Sequence, residues 1–189
     1  MIKHDVLGLE IIGVLAKGKH GIVYDAKYKN KICVVKMARE DSPSRDCIIK
    51  EKQFLQKLNK YKIGPEVYFA NNNLLVMEKI IGDIIFNIDL HSHKYIIVSI
   101  LNQCFKMDKL GISKFEMTNP YKHIFINKRK VTMIDFERCI YTEKPKNVTQ
   151  FCEYLRRRGF NIDKNVLVEY KNKIDISNFK EIKNMILKK

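Results

Sequence analysis

The chain has no tryptophan, only four prolines and eight glycines, and no long apolar run. A membrane-spanning helix needs roughly 18–20 consecutive apolar residues, so no membrane partner is expected. Asp5 and Glu10 interrupt the apolar part of the N-terminal stretch MIKHDVLGLEIIG, which does not read as a cleavable signal. Cytoplasm is therefore the expected location. Cys33, Cys47, Cys104, Cys139 and Cys152 are odd in number and lack the Cys-x-x-Cys spacing. They argue for reduced, packed thiols rather than a disulfide framework or a zinc site. Repeats, low-complexity tracts and Gly/Ser linkers are also missing.

What remains is the composition of a folded protein. At 189 residues and 46% hydrophobic content, the chain suffices for one substantial core or for two small lobes sharing a cleft. Its net charge of +15, spread along the whole length, favours polyanionic partners such as RNA, ribosomes or nucleotide phosphates. Abundant Lys, Ile and Asn without Trp is equally what an A+T-biased genome gives, and Lys-rich surfaces suit high growth temperature. Charge alone does not choose between these.

The first half alternates short β-like runs with turn signals: GLEIIGVLA, GIVYDAKY and KICVVKMA, the last two separated by Lys29-Asn30. A helix is expected from about Ser44 to Tyr61, where Ile48, Ile49, Phe54, Leu55 and Leu58 recur near helical spacing and Gly64-Pro65 follows. EVYFA and NLLVMEKI then read as strands joined by Asn71-Asn72-Asn73. A buried helix is expected from about Ser92 to Leu110, stopped by Gly111, and two short strands, HIFI and VTMID, flank the turn NKRK. From about Asn147 the chain reads as helical and basic. The boundary between the β-rich and the mainly helical part falls near Ile80–Gly82.

Several segments carry possible chemistry. In LAKGKHGIVYDA, Gly18 and Gly21 sit between β-like runs. They form either a plain hairpin or a turn whose backbone N–H groups approach a phosphate. Lys36 lies inside an apolar strand, with its head in solvent from an edge face or turned inward to neutralise phosphates. An inward lysine needs a carboxylate, and Glu51, beside Ile48, Phe54 and Leu55, is a better candidate than Glu40 in the turn. VTMIDFERC buries Asp135 between Ile134 and Phe136, where an unpaired carboxylate is costly unless a metal ion or other partner fills its acceptor sites. His91 and His93 fit the start of a helix better than a metal pair. Arg156, Arg157 and Arg158 close an amphipathic helix bearing Phe151, Tyr154 and Leu155, as cations matched to its dipole or as a patch for RNA or an acidic partner.

The order of these parts resembles the protein-kinase fold: Gly-rich hairpin, strand Lys, helix Glu, Met-Glu connection, acidic loop, then Asp-Phe. Size and motif variants are similar to the small archaeal kinases related to the RIO group and the KEOPS-complex kinase. The likeness is especially close to an archaeal branch ending in Asp-Phe-Glu-Arg. It spans about Leu15 to Arg138.

The resemblance implies roles by position. Ala16 to Val23 resembles GxGxxGxV with Ala16 replacing the first Gly, so that Gly18 and Gly21 fold over phosphate. Lys36 would contact the α- and β-phosphates with Glu51 as its partner. Met77 would be the gatekeeper, the backbone at Glu78 and Ile80 would face the adenine edge, and Val23 and Val34 would clamp the base. Asp135 would hold Mg²⁺, or Mn²⁺, with ATP.

The catalytic loop departs from the family pattern. Lys114 takes the His place, Glu116 the place of the catalytic Asp, and His123 the position expected for the metal-binding Asn, in a longer loop. His123 is therefore the candidate second metal ligand, with Asn119 as an alternative. Glu137 replaces the Gly after Asp-Phe and is expected to pair with Arg138 or a loop Lys. No Ala-Pro-Glu segment follows, so a long peptide-docking lobe is not expected.

The expectation is an α+β, kinase-like fold with a β-rich lobe over residues 1–79, a reduced helical lobe over 80–189, and ATP between them. The function it implies is ATP-dependent phosphotransfer, as a minimal serine/threonine protein kinase with an unidentified protein acceptor. A nucleotide-binding module or pseudokinase in an RNA–protein assembly is the alternative. A small-molecule kinase of the aminoglycoside type shares the fold but usually has a larger helical lobe.

Overall fold

A computed structural model describes residues 6–18, 21–39 and 42–188. The protein is mixed α+β and divides into two compact units. One comprises the chain up to Ile80 together with Asp135–Glu137, and the other Ile81–Ile134 with Arg138 onward.

The first unit contains β1 (Leu9–Gly18), β2 (Gly21–Tyr28), β3 (Lys31–Met37), α1 (Ser42–Leu58), a 3₁₀ turn (Asn59–Tyr61), β4 (Val67–Ala70) and β5 (Leu74–Glu78). The strands form one antiparallel sheet in the order β1-β2-β3-β5-β4. Lys29 and Asn30 join β2 to β3 with φ of 46° and 66°, the mirror-image turn whose twist suits a two-residue hairpin. Alternation then sends Tyr24, Ala26, Cys33, Val35, Leu74 and Val76 to one face, where they form a buried cluster. α1 buries Ile48, Phe54, Leu55 and Leu58. It starts two residues before the expected Ser44, and its last expected turn tightens into the 3₁₀ turn.

The second unit contains β6 (Asp83–Ile84), a 3₁₀ turn (Ile85–Asn87), α2 (Lys94–Lys109), β7 (Ile112–Ser113), β8 (Ile124–Asn127), β9 (Lys130–Met133) and β10 (Ile140–Tyr141). Three helices follow: α3 (Asn147–Arg157), α4 (Lys164–Asn172) and α5 (Ile176–Leu187). β6, β8 and β9 form a three-stranded sheet, and β10 pairs with β7. At Gly82 (φ +152°) a Cβ would lie 2.4 Å from the Ile126 carbonyl oxygen, so β6 can approach β8 there only without a side chain. α2 begins at Lys94 rather than Ser92 because Asp89 accepts the His91 N–H and the Ser92 hydroxyl, fixing a turn ahead of the helix. Asp163 and Asp175 cap α4 and α5 through the Asn165 and Asn178 N–H groups at 2.8 and 2.9 Å.

No helix among the described residues is long and apolar enough to cross a membrane. None of the five cysteines forms a disulfide, and four are buried. Burial raises the pKa of Cys104 and Cys152 well above the ordinary thiol value, as befits packing residues.

Candidate functional site

In the first unit, strand register places Val23 opposite Lys36 and Val34 opposite Met77, so the four side chains share one sheet face. It is the face opposite the buried Tyr24–Val76 cluster. The Lys36 ammonium lies 2.8 Å from Glu51 Oε2 and 2.7 Å from Asp135 Oδ1. Lys36 therefore turns inward. Glu51 is 1% exposed, and its Oε1 also accepts the Phe136 backbone N–H at 3.2 Å. Burial alone would lower the Lys36 pKa, but the Glu51 and Asp135 carboxylates outweigh it and raise the value, keeping the lysine charged.

Asp135 sits at φ +60°. Six non-glycine residues among those described have positive φ: Lys29, Asn30, Lys62, Glu116 and Lys128 lie in turns, and Asp135 lies outside one. Left-handed backbone at a side chain of this kind costs about 1–3 kcal/mol and concentrates at functional positions. Its conformation is over-determined by Phe136, which is fully buried and packs on Gly64, where a Cβ would lie 2.6 Å from Leu55 Cδ2 and 3.0 Å from Phe136 Cε2.

Lys36, Asp135 and Glu137 line a cleft of about 230 Å³ with Ala16, Gly18, Gly21 and Val23. Lys19 and His20, at the tip of the expected phosphate loop, lie outside the described residues, as does Glu40. The two glycines differ in what they permit. A Cβ at Gly21 would lie 2.5 Å from the Met37 carbonyl oxygen, so close packing of β2 on β3 already requires glycine there. At Gly18 the nearest neighbour is 3.6 Å away, so packing does not demand glycine.

Met77 is buried on β5. The Glu78 N–H donates to the Glu66 carbonyl at 2.8 Å, which commits that donor to the protein. Ile80 closes the first unit.

In the second unit, Glu116 (φ +76°) is held between two side chains. Its Oε1 lies 2.6 Å from Arg138 Nη1 and its Oε2 3.1 Å from His123 Nε2. Arg138, one of the two partners the sequence offered for Glu137, thus lies on Glu116, and the His123 ring faces the other oxygen of the same carboxylate. Asn119 accepts from Arg157 Nη2 at 3.0 Å, and the same nitrogen donates to the Thr118 carbonyl.

A buried network supports this loop and went unread in the sequence. Asp108 Oδ1 accepts from the Asn147 N–H (2.9 Å) and Nδ2 (2.6 Å), and Oδ2 from the Val148 N–H (3.1 Å) and the Tyr170 hydroxyl (2.9 Å). Asn147 Nδ2 also donates to the Ile112 carbonyl, and its Oδ1 accepts the Lys114 N–H at 2.7 Å, two residues before Glu116. Burial pushes the Asp108 pKa up to about 6 against the pull of these donors, and Tyr170 is raised by burial and by Asp108. The signal was an acid on the apolar stripe Ile97, Ile100, Leu101, Cys104 of α2.

The three arginines each have an intramolecular role. Arg156 pairs with Glu153 at 3.2 Å, Arg157 ties down the Thr118–Asn119 loop, and Arg158 lies over the Tyr154 ring. His91 stacks on Phe160 and bonds to the Arg158 carbonyl, while His93 bonds to the Asp89 carbonyl. Among the described residues no three His, Cys, Asp or Glu side chains gather into a metal site. Compared with known protein families and with curated proteins, the chain matches none.

Proposed function

We propose that the chain is an ATP-dependent phosphotransferase of kinase-like, two-lobed fold, acting on serine or threonine hydroxyls of a protein. The observation that carries this reading is the Lys36 ammonium held between Glu51 and Asp135 on the wall of a cleft rimmed by Gly18 and Gly21. A lysine fixed and kept charged in this way is a phosphate-binding point charge. At about 230 Å³ the cleft is smaller than the roughly 300–1,000 Å³ that envelops a drug-sized ligand, which fits the phosphate end of a nucleotide.

Mg²⁺ or Mn²⁺, when bound with the nucleotide, would neutralise phosphate charge, and the donors on this cleft are the carboxylate oxygens such an ion prefers. Lys36 binds and orients the phosphates, and Glu51 keeps Lys36 in place. Val23, Val34 and Met77 give the same sheet face an apolar surface for the base. Glu116 is assigned the acceptor hydroxyl, with Arg138 and His123 fixing its two oxygens. Positioning and charge neutralisation carry most of phosphoryl transfer, so a glutamate is an adequate base here.

A second reading is a nucleotide-binding module without transfer activity in an RNA–protein assembly. It draws on His123 and Asn119, whose side chains are given to Glu116 and Arg157.

Calorimetric titration with ATP, with and without Mg²⁺ or Mn²⁺, tests the proposal. Metal-dependent binding in the micromolar range, lost in Lys36→Met, is expected. No binding of any nucleotide would overturn both readings. Metal-dependent binding without transfer to any hydroxyl acceptor would leave the second.

A further inference from the structure

We infer that the cavity between the start of α2 and the end of α5 takes one base of a single-stranded polynucleotide, whose phosphates run along the cations beside it. The site lies wholly in the second unit and is independent of the Lys36 cleft. That unit carries most of the excess charge. It holds 21 of the 36 Lys and Arg residues but only 10 of the 21 acids, which is +11 of the net +15. Such a surplus attracts a polyanion, and the cavity selects the kind.

The cavity measures about 520 Å³, within the range of small-molecule sites, and no acid is among its lining residues. Phe160, Met185 and Ile186 give it apolar walls, and His91, Lys94 and Lys188 basic ones. The His91 and Phe160 rings stack with centroids 4.2 Å apart and planes 5° from parallel. Phe160 covers one face of His91, yet His91 stays exposed, so the exposure lies on its other face and edge. The ring is also held in orientation. Its Nε2 faces the Arg158 carbonyl at 2.9 Å, and because a carbonyl only accepts, Nε2 carries the proton. An aromatic ring fixed in this way with one face open is a stacking platform for a base. Asn161, exposed at the same cavity, offers an amide donor and acceptor to a base edge.

The cations continue from the cavity along one surface. Lys94 Nζ donates to the Lys188 carbonyl at 2.8 Å, which fixes the ammonium at the cavity and leaves further N–H donors on it. At the next position Tyr95 is 45% exposed, and its hydroxyl donates to the Lys128 carbonyl at 3.4 Å. That contact sets the β8–β9 turn beside the start of α2, and Lys128, Arg129 and Lys130 are all exposed there. Carboxylates do not interrupt the row. Asp89 is engaged by the Ser92 hydroxyl and the His91 N–H, and the one acid of α2, Asp108, is buried. β8, β9 and the turn between them contain no acid. A stacking platform at the head of a row of cations suits a single strand, whose bases can leave the stack, better than a duplex. An acidic peptide would use the cations but not the platform.

Fluorescence anisotropy of labelled ten-nucleotide RNA and DNA single strands, titrated with the full chain at several salt concentrations, tests this. Wild type is expected to bind a single strand about tenfold or more tightly than a duplex of equal length, and the tighter of the two strands identifies the sugar. Asn161→Trp places a side chain where the base should enter without changing charge. It should weaken binding about tenfold and leave the salt dependence as it is. Lys94→Gln and Lys188→Gln should each weaken binding and reduce the slope of log affinity against log salt by about 0.7. Lys36→Met should bind the strand as wild type does, and the thermal midpoints of the second-unit variants should match wild type. If the lysine variants weaken binding and Asn161→Trp does not, the surface is a diffuse basic face and the inference is overturned. Equal affinity for duplex and single strand, or no binding of either strand, overturns it too. Displacement of the strand by micromolar AMP would assign the cavity to a free mononucleotide instead. Each of these failures leaves the phosphotransfer reading, tested by ATP titration, where it stood.

Discussion

Phe136 donates its backbone N–H to the same Glu51 carboxylate that holds Lys36, so one buried acid fixes both the strand lysine and the residue after Asp135. Glu51 is almost fully buried, whereas Lys36 keeps 14% of its side chain exposed. Breaking a buried pair by removing one partner costs roughly 3–5 kcal/mol. Asp135 remains to neutralise Lys36, so Glu51→Gln should cost less, about 2–3 kcal/mol. Urea unfolding monitored by circular dichroism measures this. A midpoint equal to wild type would mean that the pair does not stabilise the first unit.

Gly64 combines a φ of +79° with close packing against Leu55 and Phe136. Gly64→Ala must relieve a 2.6 Å contact with Leu55 Cδ2 in a backbone region that side chains disfavour. A loss of about 2–3 kcal/mol is expected from strain of this kind. Because Phe136 must move, affinity for a metal–nucleotide pair should fall as well. Retained affinity at reduced stability would show that the Asp135 segment does not depend on this packing.

Both acids singled out in the sequence, Asp135 and Glu116, lie at positive φ, and the Lys36–Glu51 pair exists as a 2.8 Å contact. Lys36, Glu51 and Asp135 were legible because each is a charged residue in an apolar context, where burial demands a partner, whereas Glu116 came only from the resemblance in motif order. The sheet was legible for a related reason: alternation and turn residues are local signals. Partner choice was not. Arg138 reaches Glu116 across 22 residues rather than its neighbour Glu137, and Arg157 reaches Asn119 across 38. Asp108 and Asn147 were missed because their partners are mostly backbone groups and a tyrosine far along the chain, which no spacing announces.

Asp108 gives a pH signature. Its pKa of about 6 lies above the ordinary carboxylate value, so the folded chain holds this proton more tightly than the unfolded chain. Its contribution to stability is full below about pH 4 and is lost as pH rises through about 6, by on the order of 3 kcal/mol. Asp108→Asn cannot titrate. The stability advantage of wild type over this variant should therefore shrink from pH 4 to pH 7 in denaturant titrations. An advantage that grows over that range would mean that the four donors to Asp108 outweigh its burial.

Glu116 separates binding from transfer. Its carboxylate is about one-third exposed and Arg138 well over half, so their ion pair contributes at most about 1 kcal/mol to stability. Glu116→Gln should therefore fold normally. It should also bind nucleotide as wild type does, because Lys36, Glu51 and Asp135 are untouched. Glutamine cannot accept the hydroxyl proton, and transfer should fall by about 10²–10⁴-fold. Arg138→Met frees one Glu116 oxygen and should reduce transfer less, with His123 still at 3.1 Å from the other. Radiolabelled transfer to a protein acceptor, read beside calorimetric ATP affinity, distinguishes the outcomes. Equal transfer in Glu116→Gln and wild type would remove Glu116 as the base and leave positioning by the lysine cluster as the source of catalysis.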